Sequence, residues 1–139
     1  MRQLTHQITL KTQGRHLYDF TGEVSAWAAS SGMATGLLTL YIRHTSASLL
    51  INENYDSDVL VDMERFFARL VPDGDPLFMH TIEGPDDMPA HVRTALTQTS
   101  LSIPLINGEL ALGQWQGIFL YEHRLMSASR KVILHLIGE

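Results

Sequence analysis

The chain has 139 residues, a length typical of a single domain, and its hydrophobic fraction of 45% with a charged fraction of 18% excludes a disordered chain. Ten Lys and Arg residues against fifteen Asp and Glu residues give a net charge of −5, which disfavours nucleic-acid binding and anionic membranes as partners. The absence of cysteine excludes disulfides, zinc ribbons and thiol nucleophiles, so any metal site has to use His, Asp or Glu.

The first half of the chain alternates strand and helix patterns. Apolar residues at every second position predict a first strand that Gly14 ends, and a helical spacing follows up to a stop at Gly32. Two more strand patterns precede the clearest helical pattern, which Asp56 caps and Pro72 closes. The predicted ranges are 3–10, 21–31, 36–44, 48–51 and 56–70.

The second half is predicted to begin with a short helix and to continue as strands. The helix starts near Pro89, because proline is favoured at the first helical position, and runs through Leu96. Asn107-Gly108 is the sequence signal of a tight hairpin turn. The predicted strand ranges are 101–106, 109–112, 115–120 and 131–137.

These patterns, about seven strands and three helices, predict an α+β fold in one domain over residues 1–139. No apolar run approaches the ~20 residues of a membrane span, so we expect a cytoplasmic protein without a membrane partner. The apolar run 132–137 predicts a strand covered on both faces, and in a small domain the second cover is often another subunit.

The segment 80–91 is the most informative stretch for function. It holds two histidines, three carboxylates and two prolines within twelve residues. Asp86 and Asp87 are explained as carboxylates that cap the following helix, but this interpretation leaves the histidines unexplained. His91 lies in the predicted first helical turn, where the helix dipole disfavours an imidazolium and so favours the neutral form that a metal requires.

Three histidines are candidates for a metal site. His80 precedes the helix that carries His91, and His44 ends a strand on the side of the core. Three converging histidines with one open position resemble a catalytic zinc site. A structural role is the alternative for each of them, because no H-x-x-x-H pair holds two ligands on one helix face.

Carboxylates offer a second interpretation, in which Mg²⁺ binds beside a phosphate. The candidates for this role are Glu53, Asp58, Glu83, Asp86 and Asp87. No Walker loop or dinucleotide fingerprint accompanies them, so a nucleotide-binding fold is not supported. A serine nucleophile at Ser46 or Ser48 lacks an identifiable base.

Aromatic and basic side chains near the C-terminus are candidates for binding a substrate. Trp115 and Gln116 either begin a strand or hold a polar ligand over the indole ring. Arg124 and Arg130 are the natural anion binders of this region, with surface ion pairs as the alternative.

Five motifs together resemble the YjbQ-like family, also called the secondary thiamine-phosphate synthase family. They occur in the same order, cover essentially the whole chain, and are HTSA at 44–47, INE at 51–53, DxDV at 56–59, EGPDDMPAH at 83–91 and LGxWQ at 112–116. One departure is Gln114, where family members often have threonine.

The resemblance implies a compact domain of orthogonally packed, mostly antiparallel sheets that forms a homotrimer. It implies a metal site at His44, His80 and His91, with zinc expected at the histidines. It also implies a weak synthase activity that joins hydroxymethylpyrimidine diphosphate to a thiazole phosphate and releases pyrophosphate.

Two classes of function follow for the chain. The first is an enzyme acting on a small phosphorylated molecule, with Glu53, Asp86 and Arg124 as catalytic residues. Substrate-binding residues would be Trp115, Gln116, Arg130 and Asp87, with Mg²⁺ beside the phosphate. Zinc at three histidines suits metal-assisted hydrolysis better than the synthase reaction, with Asp86 or Glu53 as general base. The second class is a trimer that binds a metal or a metabolite without catalysis.

Overall fold

The computed structural model describes all 139 residues and contains eight strands and three helices. The helices are α1 (Thr21–Ser30), α2 (Ser57–Leu70) and α3 (Asp87–Leu96). The strands are β1 (Arg2–Gln13), β2 (His16–Asp19), β3 (Thr35–Ile42), β4 (Ala47–Glu53), β5 (Ser100–Ile106), β6 (Glu109–Leu110), β7 (Gln116–Glu122) and β8 (Ser127–Gly138). The predicted α+β class with three helices is confirmed.

The strands form two antiparallel sheets. The large sheet has the order β1-β8-β3-β5-β6, and the small sheet has the order β2-β7-β4. In the small sheet Ala47 lies opposite Glu122, and Glu53 lies opposite Gln116. This register separates the two ends of β4 and β7 by six residues, which is ~20 Å along a strand.

The core lies between the large sheet, the small sheet and α1. Each strand contributes alternate side chains to it, since successive residues of a strand point to opposite faces. The buried apolar set includes Leu38, Leu40, Ile42, Ile103, Val132, Leu134, Leu136, Leu49, Ile118 and Leu120, together with Val24 and Ala28 of α1.

The other face of the small sheet is covered by α2. Phe119 and Tyr121 of β7, with Leu17 of β2, form a second apolar cluster. Leu60, Met63 and Phe67 pack against this cluster at helical spacing, which is the amphipathic pattern that predicted the helix. Asp56 caps α2 as predicted, because its side chain accepts the Asp58 N–H at 2.9 Å.

Local turn chemistry agrees with the sequence at the hairpin. Asn107 has a φ of 52° and Gly108 has a φ of 81°, the left-handed pair that a two-residue turn requires. None of the three helices is long and apolar enough to cross a bilayer.

Two details differ from the sequence predictions. β2 was not predicted, because only Leu17 of its four residues is buried and the strand therefore shows no alternation. α3 begins at Asp87 rather than near Pro89. Within this chain the face of β8 that carries His135 is only half-buried, so its cover by another subunit stays a prediction.

Candidate metal centre and adjoining cavity

The start of α3 gathers three potential metal ligands. Asp87 and His91 are four residues apart, so they lie on the same face of the helix. The His80 Nε2 lies 2.7 Å from Asp87 Oδ2, and the His91 Nε2 lies 3.1 Å from the same oxygen. The ligand atoms of the three residues all lie within 4.8 Å of one another. We refer to His80, Asp87 and His91 as the candidate metal centre.

The hydrogen bond of His91 to the backbone determines which ring nitrogen faces the centre. Its Nδ1 lies 2.9 Å from the carbonyl oxygen of Thr45, and because a carbonyl only accepts, Nδ1 carries the proton. The Nε2 of a neutral His91 therefore presents a lone pair to Asp87 Oδ2, which also only accepts. Either a second proton or a metal ion has to lie between them. A backbone carbonyl that orients the far nitrogen is typical of metal-ligating histidines.

Arg124 holds the carboxylates in place. Its Nη1 donates to Asp87 Oδ1 at 2.7 Å, and its Nε donates to Asp86 Oδ2 at 2.9 Å. Its Nη2 donates to the carbonyl oxygen of Glu83 at 2.9 Å. All three guanidinium nitrogens thus have protein partners. Asp87 is left with Oδ2 turned towards the two histidines.

The pKa values of both aspartates lie below the ordinary value. Burial alone would raise the pKa of Asp87, but the hydrogen bond of His80 and the charge of Arg124 outweigh it. Burial also raises the pKa of Asp86, but the hydrogen bonds from Arg124 and from the Leu125 N–H lower this pKa by more. Both carboxylates are therefore ionised at neutral pH, as metal binding requires.

The loop 71–86 that carries His80 is fixed at both ends. Arg15 forms a two-point ion pair with Asp73, with both N–O distances at 2.9 Å. The Gly74 N–H donates to the carbonyl oxygen of Pro85 at 3.0 Å, which closes the base of the loop. His80 is thus held opposite α3 by contacts that lie outside the candidate metal centre.

A cavity of about 820 Å³ adjoins the metal centre and shares His91 with it. Its wall comes from the end of β3 and the segment 43–46, from α3, and from β8. The side chains with polar groups in this wall are Tyr41, Arg43, His44, Thr45, Ser46, His91, Thr94, Thr99 and Arg130.

Arg130 is held in the cavity wall by a buried carboxylate. Its Nε donates to Glu122 Oε1 at 2.8 Å, and its Nη2 donates to Glu122 Oε2 and to Ser46 Oγ. Glu122 is fully buried and also accepts from the Thr12 hydroxyl at 2.7 Å. The Nη1 of Arg130 has no partner in the protein and is not enclosed, so it is available to a ligand.

Positive charge surrounds His44 in this wall. Burial and the nearby charges of Arg130, Lys131 and Arg43 lower the pKa of His44, and only Glu122 opposes them. A protein with a net charge of −5 therefore contains one cavity with a local excess of cations.

The structure brings together two of the three histidines predicted to bind a metal. His80 and His91 come together, but His44 is outside the group, and its Nε2 accepts the backbone N–H of Lys131 at 2.8 Å. Asp87, which was predicted to bind substrate, is the third member. Arg124 was predicted to act on the substrate, but its guanidinium is fully engaged by the protein.

Glu53, Trp115 and Gln116 lie at the opposite end of the small sheet from the segment 43–46. The register separates them from that end of β4 by ~20 Å within the chain. The Glu53 Oε2 accepts the Asp56 N–H at 3.4 Å, and the Gln116 Oε1 accepts the Gly113 N–H at 2.7 Å. These bonds close local turns. The structure does not bring these three side chains to the metal centre of the same chain.

One sequence signal would have identified Asp87 as a member of the candidate metal centre. Asp87 and His91 form a D-x-x-x-H pair, which holds two ligands on one helix face once the helix begins at Asp87. The start predicted near Pro89 left Asp87 outside the helix. The Thr45 carbonyl and Glu122 have no such local signal, because their partners lie 46 and 8 residues away.

Residues 6–139 match the family model described as UPF0047 protein YjbQ-like. The chain is 51% identical to the UPF0047 protein sll1880 of Synechocystis sp., over 99% of this chain and 94% of that protein. It is 45% identical to the UPF0047 protein YjbQ of Escherichia coli O157:H7, over 99% of this chain and 98% of that protein.

Solved structures share the fold over nearly the full length. The hypothetical protein APE1520 from Aeropyrum pernix K1 is similar with a TM-score of 0.89 and 32% identity, covering 98% of this chain and 99% of that one. An uncharacterised protein of the yjbq/upf0047 family from Clostridium acetobutylicum has a TM-score of 0.87 and 32% identity, covering 95% and 99%. These names state no activity, so the function has to be argued from the site.

Proposed function

We propose that this chain, which belongs to the UPF0047 YjbQ-like family as its motifs predicted, is a divalent-metal-dependent hydrolase of a small phosphorylated molecule. The observation that carries the proposal is the convergence of two histidines and one ionised carboxylate beside a cavity with a cationic wall. The family match alone does not specify a reaction.

His80, Asp87 and His91 are the residues that would hold the metal. Two imidazoles and a carboxylate form a donor set typical of catalytic zinc and of non-haem iron sites, and three protein ligands leave a position open. A zinc ion held by these residues would supply Lewis acidity and would lower the pKa of a water molecule to about 7, so that hydroxide is available as a nucleophile near neutral pH. The lone pairs of His91 Nε2 and Asp87 Oδ2 that face each other support this assignment.

The surrounding residues support the same centre. The Thr45 carbonyl keeps the proton of His91 on Nδ1, and Arg124 keeps Asp87 Oδ2 directed at the histidines. Asp86 is bound by Arg124 and by the Leu125 N–H, and Glu53 lies at the far end of the small sheet. Neither carboxylate is therefore assigned as the general base.

The cavity supports an anionic substrate. Arg130 offers its free Nη1 from a rigid position, and the charges of Arg43 and Lys131 add to the local positive potential. Because His91 and Arg130 line the same cavity, a phosphate bound to Arg130 would lie in the cavity that the candidate metal centre adjoins.

Metal analysis with matched variants tests the proposal. Protein purified without a histidine tag and loaded with Zn²⁺ is expected to retain about one zinc per chain by mass spectrometry, and His91→Ala is expected to lose it. His135→Ala is the control, because His135 bonds Gln3 on the large sheet and is outside the centre. A wild type that cannot be loaded, or a His91→Ala variant that keeps its zinc, contradicts the proposal.

Phosphate release from a panel of small phosphate monoesters then separates catalysis from binding. Zinc-dependent turnover that is lost in His91→Ala supports the hydrolase. Zinc and phosphate binding without turnover of any phosphorylated compound supports the alternative of a metal- or metabolite-binding protein. Size measurement by light scattering tests the homotrimer that the resemblance implies.

The synthase reaction is the second candidate function. A cavity of about 820 Å³ is within the range that holds drug-sized ligands, which favours two joined substrate halves over a single phosphate. Three of the carboxylates predicted to hold Mg²⁺ argue against it, because Asp86 is bound by Arg124 and the Leu125 N–H, Asp87 faces the two histidines, and Glu53 is remote. Pyrophosphate release from hydroxymethylpyrimidine diphosphate and thiazole phosphate, assayed with Mg²⁺ and with Zn²⁺, tests it directly.

A further inference from the structure

We infer that His44 is a ligand-binding residue whose Nδ1–H donates a hydrogen bond to an anionic oxygen of the molecule bound in the cavity, beside the Nη1 of Arg130. The inference rests on the proposed function, since it specifies how that site recognises its substrate. It gives His44 a role different from metal ligation.

The tautomer of His44 is set by the backbone of β8. The Lys131 N–H lies 2.8 Å from His44 Nε2, and because an N–H only donates, Nε2 is the acceptor and carries no proton. A neutral ring therefore bears its proton on Nδ1. Nδ1 has no partner in the protein, and the residue lies in the cavity wall.

The nearby carboxylate cannot satisfy this donor. Glu122 Oε1 already accepts from Thr12 and from Arg130 Nε, and Glu122 Oε2 accepts from Arg130 Nη2 and from the backbone N–H groups of His123 and Arg124. The acceptor capacity of Glu122 is used inside the protein. The cavity wall is therefore left with free donors, which an anionic oxygen complements.

The surroundings also keep His44 neutral. Burial and the charges of Arg130, Lys131 and Arg43 lower the pKa of His44, so the ring offers one donor without a charge across the neutral range. Arg130 supplies the positive charge, and His44 supplies a hydrogen-bond donor that approaches the ligand from a different side. Two donors, one from the segment that follows β3 and one from β8, would orient a phosphate or carboxylate group better than either donor alone.

Two amide substitutions separate the roles of the two ring nitrogens. The side-chain amide of asparagine reaches the position of His Nδ1, and that of glutamine reaches the position of Nε2. His44→Asn is thus expected to keep the donor to the ligand, and His44→Gln is expected to keep only the acceptor for the Lys131 N–H. The probe is inorganic phosphate, titrated by calorimetry into zinc-loaded protein.

We expect His44→Gln to bind phosphate at least tenfold more weakly than the wild type, and His44→Asn to bind within about threefold, since a hydrogen bond to a charged group is worth about 1.5–3 kcal/mol. Both variants should keep about one zinc per chain. Thermal melting checks that both fold.

The outcomes separate this inference from the proposed function. Equal phosphate affinity of the wild type and His44→Gln, or a greater loss in His44→Asn, overturns the inference and leaves the proposed function in place. Loss of zinc in both variants restores His44 as a metal ligand and also overturns it. A zinc-loaded wild type that binds no phosphate overturns both.

Discussion

The two ends of the small sheet carry equally polar motifs, but they are built differently. At the end where Ala47 lies opposite Glu122, charged side chains are buried and paired with residues far away in the chain. Thr12 bonds Glu122 across 110 positions, and Arg124 bonds Asp87 across 37. At the end where Glu53 lies opposite Gln116, the side-chain bonds span only three positions.

The hydrogen bonds at the two ends differ in sequence separation, and they also differ in what they stabilise. Glu53 and Gln116 satisfy backbone N–H groups in their own turns, and Trp115 packs on Tyr55 with ring centroids 4.7 Å apart. Such bonds stabilise a local conformation. Arg124 and Glu122 instead connect separate elements, and these connections hold the metal centre and the cavity together. A sequence motif rich in polar residues can therefore mark either a local turn or a functional site, and the sequence does not distinguish the two.

The largest expected contrast between the two ends is in zinc affinity and turnover when one carboxylate at each end is replaced by an amide. Asp87→Asn should weaken zinc binding at least 100-fold and abolish metal-dependent turnover, because it removes the one anionic ligand of the candidate metal centre and the anionic partner of Arg124 Nη1. Glu53→Gln should change both by less than twofold. Competition with a zinc chelator gives the affinities, and equal effects of the two substitutions would show that the comparison between the two ends is wrong.

An intermediate effect is expected from the side chains that support each end. Arg124→Ala should lower the free energy of unfolding by about 3 kcal/mol and weaken zinc binding 10- to 100-fold, because two carboxylates lose their counter-ion. Trp115→Ala should lower the free energy of unfolding by about 1 kcal/mol, because the contact with Tyr55 is lost. Urea unfolding and zinc titration measure both variants.

Zinc binding that is unchanged in Arg124→Ala would count against a positioning role for this side chain. A loss of zinc in Trp115→Ala would show that the Trp115 end affects zinc binding at the other end, which no contact within the single chain explains.

The third effect, smaller than that of Arg124→Ala, is a dependence of stability on pH at the Glu122 end. His123 is fully buried with Nε2 2.8 Å from Ser48 Oγ, and burial, with the charges of Arg93, Arg15 and Arg130, lowers its pKa to about 3. The unfolded chain binds a proton at this histidine below an ordinary pKa of about 6.5, and the folded chain does not. Stability should therefore fall as the pH decreases from about 6.5 towards 3.

Between pH 7.5 and pH 5 the loss due to His123 should be about 2 kcal/mol. Urea unfolding at several pH values measures it, and His123→Gln, which keeps an amide near Ser48, should flatten the profile over this range. An unchanged slope in that variant would assign the acid sensitivity to other groups. Asp86 and Asp87 add a further loss that begins below the ordinary aspartate pKa of about 3.9, where the unfolded chain takes up protons, and is complete once the pH has passed their lowered folded-state pKa values.

Much of the fold was readable from local patterns. The heptad-like spacing of Leu60, Met63 and Phe67, the cap at Asp56 and the hairpin at Asn107-Gly108 all appear as predicted. β2 was missed because a four-residue strand with one buried side chain has no period to detect.

The site was only partly predictable. The segment 80–91 was identified as functional because its histidines and carboxylates exceed what a capped turn needs, and the structure gathers three of them. The sequence predicted His44 rather than Asp87 as the third member of the group, because a shift of two residues in the start of α3 decides whether Asp87 shares a face with His91. Three further residues, Glu53, Trp115 and Gln116, were assigned to the same site. The reason is that a strand pattern in the sequence does not show at which end of the sheet a residue lies.

By itself the sequence determined the family, the class of fold and all elements but β2, because turn residues and apolar periods act over a few positions. Only the tertiary structure decided which polar residues meet. The register of β4 with β7 separates two motifs that sequence order suggested were one site, and the Thr45 carbonyl and the Lys131 N–H decide which nitrogen of His91 and of His44 is free. These are contacts between residues more than forty positions apart, and chain spacing carries no information about them.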